Sequence, residues 1–449
     1  HGGKLYFATD EGPEHRQNLW ELDPATLARK QLTTFADYDV KWPALGPGAA
    51  GGGEIVFQHG AELVLYDLAA KKSAVVRVTI PGAQAQLRPR LVDASENTES
   101  WDLSPSGKRL LVSARGDAWS LPAKEGSPRN LTRTSGAAER DPAWSPDGKW
   151  IAWLSDASGE YELRLAPADG SAEPKELTSG GSAFRRLHGW SSDSKYLLFS
   201  DKTGTIFLQP AEGGATRTVV KDPWSGDLFG SGWSFSSDGR WLALALADAT
   251  SGLGRIALYD IEGSALEYVT AGMFDDGAPT FDRKGDFLYF RRRAHFAPLY
   301  GELDSSFLYA NTEMLCVVPL RADQPSPFAP KSDEEVAKKD DEKKDEKDEG
   351  EKKDGEEKDG EEKKDEPKKV EITLAGFERR AVPLPIEPGN FASLGVTEGG
   401  ALMYGRLPIN GMDGDGAIHL FDVGADEPEE KLVWKGAASF LVSPDGKKL

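Results

Sequence analysis

Residues 139–149 read ERDPAWSPDGK, and the apolar run 150–153, WIAW, follows them directly. In this stretch Pro146 presets φ for a tight turn, and Gly148 accepts the positive φ that such a turn requires. The short run after it is rich in Trp and Ile, as strands are, and no window of the chain shows a sustained helical stripe. The stretch therefore predicts a turn leading into a strand of an all-β protein.

The same unit of turn and strand recurs along the chain. Its turn residue falls at positions 107, 148, 194, 239 and 285, so the steps are 41, 46, 45 and 46 residues. Periods of this length are typical of the four-stranded blades of β-propellers. Because one small sheet cannot bury both of its faces, the blades must stack around an axis. We predict an all-β β-propeller.

The repeats also predict the domain organisation. Seven blade starts follow residue 87, at 102, 143, 189, 233, 280, 394 and 440, and the last blade is truncated. Two further units lie upstream, within 3–23 and 54–67. We interpret residues 1–80 as the last two blades of a first propeller, 81–100 as a linker and 101–449 as a second, seven-bladed propeller. The chain starts at His1 and stops after a turn, so we expect an internal fragment.

Residues 331–369 form a low-complexity segment with 13 Lys and 19 Asp or Glu residues. With almost no apolar residues, it cannot offset the entropy cost of ordering. We predict a disordered insert in the fifth blade of the second propeller. A single charged helix is the alternative, but Gly350, Gly355 and Gly360 would interrupt it.

Composition excludes several classes of partner. The formal net charge of −20 disfavours nucleic acid and anionic membranes. No stretch approaches the roughly 20 apolar residues that a membrane span needs. The only cysteine, Cys316, excludes a disulfide framework and a multi-cysteine metal site, and the six His are scattered. We predict neither a metal nor a cofactor.

Two arginine groups are the candidate peptide-anchoring residues. In strand geometry Arg291 and Arg293 share one face and Arg292 takes the other. If that face borders the channel, the pair could hold the terminal carboxylate of a peptide through bidentate hydrogen bonds. Arg185 and Arg186, just before a blade start, are a weaker candidate. The alternative is an exposed or salt-bridged blade surface.

Catalytic residues are not expected in this chain. The Ser and Asp of the repeated turns have no matching His, and the sequence lacks a Gly-x-Ser-x-Gly elbow in a strand-to-helix context. Trp144, Trp190 and Trp233 precede turns at what we take to be equivalent positions, where blade packing needs bulk.

Several of these segments resemble one family. Residues 139–152 and 155–163 look like the second propeller of tricorn-type peptidases, and 35–43 is similar to a segment near the end of that family's first, six-bladed propeller. The likeness covers essentially the whole chain outside the charged insert. It implies a serine peptidase whose catalytic residues, and a PDZ-like domain, follow the second propeller and are missing here.

The resemblance also implies how the chain would work. In that family the propellers filter peptides by size, so we expect peptide substrates to pass through the channel of a homo-oligomeric parent enzyme. We expect a cytoplasmic protein, with a periplasmic or secreted one left open because the sequence does not begin with Met. Two alternatives stay open: a non-enzymatic TolB-like propeller that binds a protein partner, and the propeller of a prolyl-oligopeptidase-like enzyme.

Overall fold

The computed structural model describes residues 1–48, 51–79, 81–82, 92–222, 232–329, 368–409 and 414–449. Outside two short 3-10 helices, Ser95–Asn97 and Glu378–Arg380, the regular structure in these ranges is β-strand. The prediction of an all-β protein is thus confirmed. The chain divides into two compact units, His1–Val92 and Asp93–Leu449.

The first unit contains two antiparallel sheets. The strands of the three-stranded sheet are β1 (Leu5–Thr9), β2 (Asn18–Leu22) and β3 (Arg29–Gln31); those of the four-stranded sheet are β4 (Val40–Gly46), β5 (Glu54–His59), β6 (Glu62–Asp67) and β7 (Lys72–Val75). Alternating side chains such as Leu19, Val40 and Phe57 are buried between them. The buried Asn18 accepts a hydrogen bond from the Phe35 backbone N–H at 2.8 Å and so fixes the connection between the sheets.

The second unit contains six four-stranded antiparallel sheets. The first three are β8 (Thr98–Leu103), β9 (Arg109–Ala114), β10 (Asp117–Pro122) and β11 (Arg129–Asn130); β12 (Glu139–Trp144), β13 (Trp150–Ser155), β14 (Glu162–Pro167) and β15 (Lys175–Glu176); and β16 (Arg185–Trp190), β17 (Tyr196–Asp201), β18 (Thr205–Pro210) and β19 (Arg217–Lys221).

The other three sheets follow the same plan, with one additional hairpin. They are β20 (Trp233–Phe235), β21 (Trp241–Ala247), β22 (Gly254–Asp260) and β23 (Ala265–Tyr268); β24 (Asp275–Phe281) and β25 (Phe287–Arg293) with β28 (Glu313–Pro319) and β29 (Val382–Pro383); and β30 (Asn390–Val396), β31 (Leu402–Leu407), β32 (Ala417–Phe421) and β33 (Glu430–Lys435). The hairpin of β26 (Leu299–Gly301) and β27 (Ser306–Leu308) is inserted in the fifth sheet.

Consecutive sheets pack face to face through one apolar cluster each. Leu111 of the first sheet packs with Trp144 and Ile151 of the second, and four further clusters join the remaining neighbours in order. Full burial of a side chain of this size contributes about 1.5–3 kcal/mol, so each interface is a substantial part of the core. The first strands contact each other from sheet to sheet, β8 to β12 to β16 and β20 to β24 to β30, which makes them the innermost strands.

A hydrogen-bonded turn follows most of the first strands. The Ser145 hydroxyl donates to Asp147 at 2.6 Å and accepts from the Trp150 backbone N–H at 2.9 Å. The same two bonds recur from Ser191, Ser236 and Ser443. The Ser and Asp of the repeat are therefore engaged in turn formation.

The seventh repeat is represented by residues 440–449, which contain the Ser443 turn and no strand. The Glu398 backbone N–H donates to the Gly446 carbonyl at 3.1 Å, and Lys448 approaches the Gly107 turn of the first sheet. This segment thus lies between the sixth sheet and the first. The described part of the chain contains six complete sheets and the turn of a seventh.

The fifth sheet brackets the charged segment. The chain leaves β28 at Pro319 and re-enters the sheet at Val382. The Thr373 backbone N–H donates to the Leu320 carbonyl at 2.9 Å, and the Arg380 guanidinium donates to the carbonyls of Pro319 and Leu320. Residues 330–367 lie outside the described residues, as do 83–91 of the expected linker, so the predicted disorder is untested. None of the described helices is long and apolar enough to span a membrane.

Candidate functional site at the turn end of the second unit

A cavity of about 560 Å³ lies in the second unit where the innermost strands end. We call this the turn end of the unit, and the opposite end, where the innermost strands begin, the start end. The lining comes from the last residues of β16, β20, β24 and β30, from the turns after these strands, and from the segment at residues 440–444. Ligand sites in proteins typically measure about 300–1,000 Å³, so the cavity has the size of a binding site.

The second residue of the repeated turn contributes to the lining from several sheets. Pro146, Ser192, Ser237, Arg283 and Pro444 all line the cavity from this one repeat position. A single sequence position of the repeat therefore contributes a side chain to the cavity wall from each of five turns.

Aromatic rings form much of the wall. Trp190, Phe235 and Phe281 are buried, whereas Trp233 is partly exposed. A Cβ atom on Gly189 would lie 2.7 Å from the Trp233 ring, so the glycine allows this ring to pack against β16.

The expectation that Trp144, Trp190 and Trp233 occupy equivalent positions needs a correction. Trp144 and Trp190 directly precede a turn serine and are buried, but Phe235 takes that position in the fourth sheet. Trp233 lies two residues earlier, and it lines the cavity as a partly exposed ring. The repeat spacing alone did not reveal this offset.

Among the residues that the structure describes, Arg283 is the one arginine that lines the cavity. Its guanidinium donates to the carbonyls of Val396 at 3.1 Å and Ser443 at 3.0 Å, and also to that of Pro444. Over the described residues, no carboxylate lies within salt-bridge distance of it, and burial lowers the pKa of this guanidinium from its usual value. Sequence reasoning missed Arg283; the available signal was an arginine in place of the turn proline.

The arginines of the β25 run lie at the start end. Arg291 is 3.5 Å and Arg293 3.4 Å from the Glu313 carboxylate, and Arg293 also pairs with Asp275 at 2.8 Å. The structure therefore brings Arg291 and Arg293 together around one acid, while Arg292 faces the other way.

Arg292 is the most enclosed member of that run. It forms a bidentate pair with Asp276 at 2.7 and 2.8 Å and a further bond to Glu378 at 2.7 Å. The rings of Phe274 and Phe290 flank it. Its charge is therefore compensated inside the sheet.

Arg185 and Arg186 lie in a different sheet from the Arg291 pair and also meet acids. Arg185 pairs with the buried Glu162, and Arg186 is 3.0 Å from Asp141. All four candidate anchors thus have a carboxylate neighbour at the start end. Peptide anchoring by Arg291, Arg293, Arg185 or Arg186 stays a prediction.

Polar side chains also join neighbouring sheets. Asp102 accepts a hydrogen bond from the Trp144 backbone N–H at 2.7 Å and Ser234 from that of Phe281 at 3.0 Å, each between innermost strands, and Glu313 of β28 accepts from the Phe391 N–H of β30 at 2.7 Å. Burial raises the pKa of Asp102 to about 6, and the hydrogen bonds from the Trp144 and Leu103 backbone N–H groups only partly offset this effect.

One serine–histidine contact occurs in the third sheet. Ser200 Oγ lies 2.8 Å from His188 Nε2, but Ser200 is fully buried within β17. Ser113, at the same place in β9, is equally buried and donates to the Glu139 carbonyl. The geometry is that of a cross-strand hydrogen bond in the sheet interior, out of reach of a substrate.

The described residues offer neither a metal-binding cluster nor a reactive thiol. These residues contain no group of three or more His, Cys, Asp or Glu side chains that could hold a metal ion. Cys316 is buried in the fifth sheet, and burial raises the pKa of its thiol to about 12, so it is not an activated nucleophile.

Comparison with known protein families agrees with the arrangement of four-stranded sheets described above. Residues 98–449 match the family described as the tricorn protease second beta propeller domain. The chain belongs to this family. The match includes all six complete sheets and the turn of the seventh repeat.

Longer relatives carry the same kind of name. The chain is 26% identical to tricorn protease homolog 1 of Streptomyces coelicolor over 418 residues, covering 89% of this chain and 37% of the relative. It is 22% identical to the tricorn protease homolog of Saccharolobus solfataricus, covering 99% and 37%. The chain thus spans under two fifths of these relatives' length.

The fold is also that of a solved structure. The crystal structure of the tricorn protease superposes with a TM-score of 0.63 at 16% identity, covering 99% of this chain and 40% of the other. The predicted β-propeller architecture and the resemblance to tricorn-type peptidases are confirmed. The relatives are named proteases, so the family is one of peptidases.

Proposed function

We propose that this chain is the channel region of a tricorn-like serine peptidase, and that it selects peptides by size without cleaving them. The observation that carries the proposal is the cavity at the turn end, enclosed by the ends of the innermost strands and by one residue of successive repeat turns. A ring of packed sheets is a rigid frame, so an opening at its axis restricts what passes through it.

The absence of catalysis in this chain is part of the proposal. The Ser hydroxyls of the repeated turns are engaged in turn hydrogen bonds, and Ser200 is buried beside His188. A nucleophile needs an accessible hydroxyl and an oriented base. The catalytic residues would belong to another part of the protein, as would contacts that form a homo-oligomer. A cytoplasmic location also stays a prediction.

The proposal can be tested with a bulky substitution that narrows the opening of the cavity, made in the full-length protein that contains this chain. Ser192 is exposed at the cavity and stands at the repeated lining position. We expect Ser192→Trp to lower kcat/KM for long quenched peptides by about tenfold or more while changing that for a dipeptide-sized substrate by less than about twofold.

The control is Ser158→Trp, which adds the same ring to an exposed turn between β13 and β14, away from the cavity. It should leave both rates unchanged. Equal loss for long and short substrates in Ser192→Trp, or no loss for either, would contradict selection at this opening.

A second measurement addresses catalysis by the chain itself. Purified residues 1–449 should not hydrolyse fluorogenic peptides. Hydrolysis that survives repeated purification and disappears in His188→Ala would show that the buried pair is a working site and would overturn this part of the proposal.

A further inference from the structure

The charge balance of Arg283 differs from that of the arginines at the start end. Arg185, Arg186, Arg291 and Arg293 each lie within 4.0 Å of a carboxylate. Arg283 meets only backbone carbonyls in the described part of the chain. A cation that is partly withdrawn from water without a counter-ion favours an anion at its side.

The hydrogen-bonding capacity of Arg283 is not exhausted. A guanidinium carries five N–H groups, and three of them are used by Val396, Ser443 and Pro444. Within the described ranges, one N–H is left on each terminal nitrogen. Two parallel donors of this kind match the two oxygens of a carboxylate.

Two acids near Arg283 already have partners of their own. Asp445 accepts from the Ser443 hydroxyl and the Lys447 backbone N–H, and Glu398 pairs with Lys447 at 3.1 Å. Both acids stabilise the charged form of Arg283 from a distance, and neither bonds to it. Asp282, which lines the same cavity, accepts from the backbone N–H groups of Asp286 and Phe287, so the two remaining guanidinium N–H groups are left for a carboxylate from outside.

The other residues of the cavity wall indicate which chemical group should accompany the carboxylate of a ligand. Trp190, Trp233, Phe281 and Phe440 line the same space as Arg283. A volume of about 560 Å³ holds more than one residue of a peptide. Aromatic walls beside a cation suit a carboxylate next to an aromatic or branched aliphatic group.

We propose that the cavity at the turn end binds a free carboxylate at Arg283 with an adjacent apolar side chain against Trp233 and Phe281. A peptide ending in an apolar residue and a single acylated amino acid share this chemistry. The inference deepens the proposed function, because it would give the channel a chemical preference in addition to a size limit.

The first test uses the wild-type chain and needs no substitution. Binding of N-acetylphenylalanine, N-acetylphenylalanine amide, and a tetrapeptide ending in Phe with either a free or an amidated terminus is measured by calorimetry. We expect each acid to bind about tenfold more tightly than its amide. Tighter binding of the tetrapeptide acid than of the single residue identifies a peptide end as the ligand, and equal binding identifies the single residue.

The second test removes the charge. Arg283→Met should abolish the preference for acid over amide, while the matched Arg321→Met, at a partly exposed position just after β28 of the same sheet, should retain it. If Arg283→Met does not fold, Trp233→Leu takes its place, with weaker binding of both acid and amide expected.

These outcomes separate the inference from the proposed function. Equal affinity of acid and amide in the wild type, or an acid preference that persists in Arg283→Met, would overturn the carboxylate site. Either result leaves size selection intact, because that is measured by peptide length in the full-length enzyme.

Discussion

Arg283 and Asp102, at the turn end of the second unit, are held differently from the arginines at the start end. At the start end, arginines and carboxylates are matched, and Arg292 with Asp276 and Glu378 is the most enclosed example. At the turn end, Arg283 and Asp102 are held by backbone groups without an opposite charge in contact. An arginine that is paired with a carboxylate stabilises the sheet. A buried charge without a counter-ion favours binding of an oppositely charged ligand or, for an acid, uptake of a proton. This difference is the reason for proposing a ligand site at the turn end.

The largest effect is expected from breaking a matched pair at the start end. Asp276→Ala removes the bidentate partner of Arg292 and leaves a buried guanidinium with Glu378 alone. We expect the free energy of unfolding to fall by about 4 kcal/mol in urea titrations. Glu262→Ala removes an exposed partner of Arg240 and should cost less than about 0.5 kcal/mol. A similar loss in both variants would remove the contrast.

The next effect concerns the unmatched acid at the turn end. The pKa of Asp102 is raised from 3.8 to about 6, so the folded state prefers the protonated form. Stability from this group is present below pH 4 and is lost as pH rises through 6. We expect Asp102→Asn to be more stable than wild type at pH 7, by about 3 kcal/mol, and equal near pH 4.

Urea titrations at several pH values measure this difference. Glu62→Gln, which changes an exposed acid of β6 in the first unit, is the control, and its stability should follow that of wild type between pH 4 and 7. A constant gap between Asp102→Asn and wild type across that range would show that Asp102 does not titrate near 6.

A smaller effect tests the aromatic wall at the turn end. In Gly189→Ala the added methyl group would lie 2.7 Å from the Trp233 ring, so the ring must move. We expect a loss of about 2 kcal/mol and a changed tryptophan emission spectrum. Gly213→Ala adds a methyl group in open space at a turn and serves as control for the spectrum. An unchanged spectrum in Gly189→Ala would contradict the close approach.

The smallest effect concerns one repeated turn. Ser145→Ala removes the hydroxyl that joins Asp147 to the Trp150 backbone N–H. We expect about 1 kcal/mol lower stability by thermal unfolding. Ser106→Ala changes the exposed turn position that Asp147 occupies in the next repeat and should be near neutral. A loss as large as that of Asp276→Ala would mean that the turns, not the ion pairs, dominate.

The fold was largely predictable because its determinants are local. The turn of residues 145–148 and the apolar strand after it recur at a blade-like period, and local rules suffice to interpret them. The site was not predictable in the same way. Arg283 acquires its partners from residues 396, 443 and 444, and the partners of Arg292 include Glu378; such contacts depend on how distant repeats close on each other.

The paired strands around the charged segment have an evolutionary consequence. Thr373 and Leu320 are joined at 2.9 Å, so the two ends of the insertion are fixed next to each other whatever lies between them. Doubling the length of a flexible loop costs only about 0.6 kcal/mol once its ends are fixed. The fifth blade is therefore a permissive position, where lineages can lengthen, shorten or replace sequence, and where a fluorescent tag could be grafted at little cost to folding.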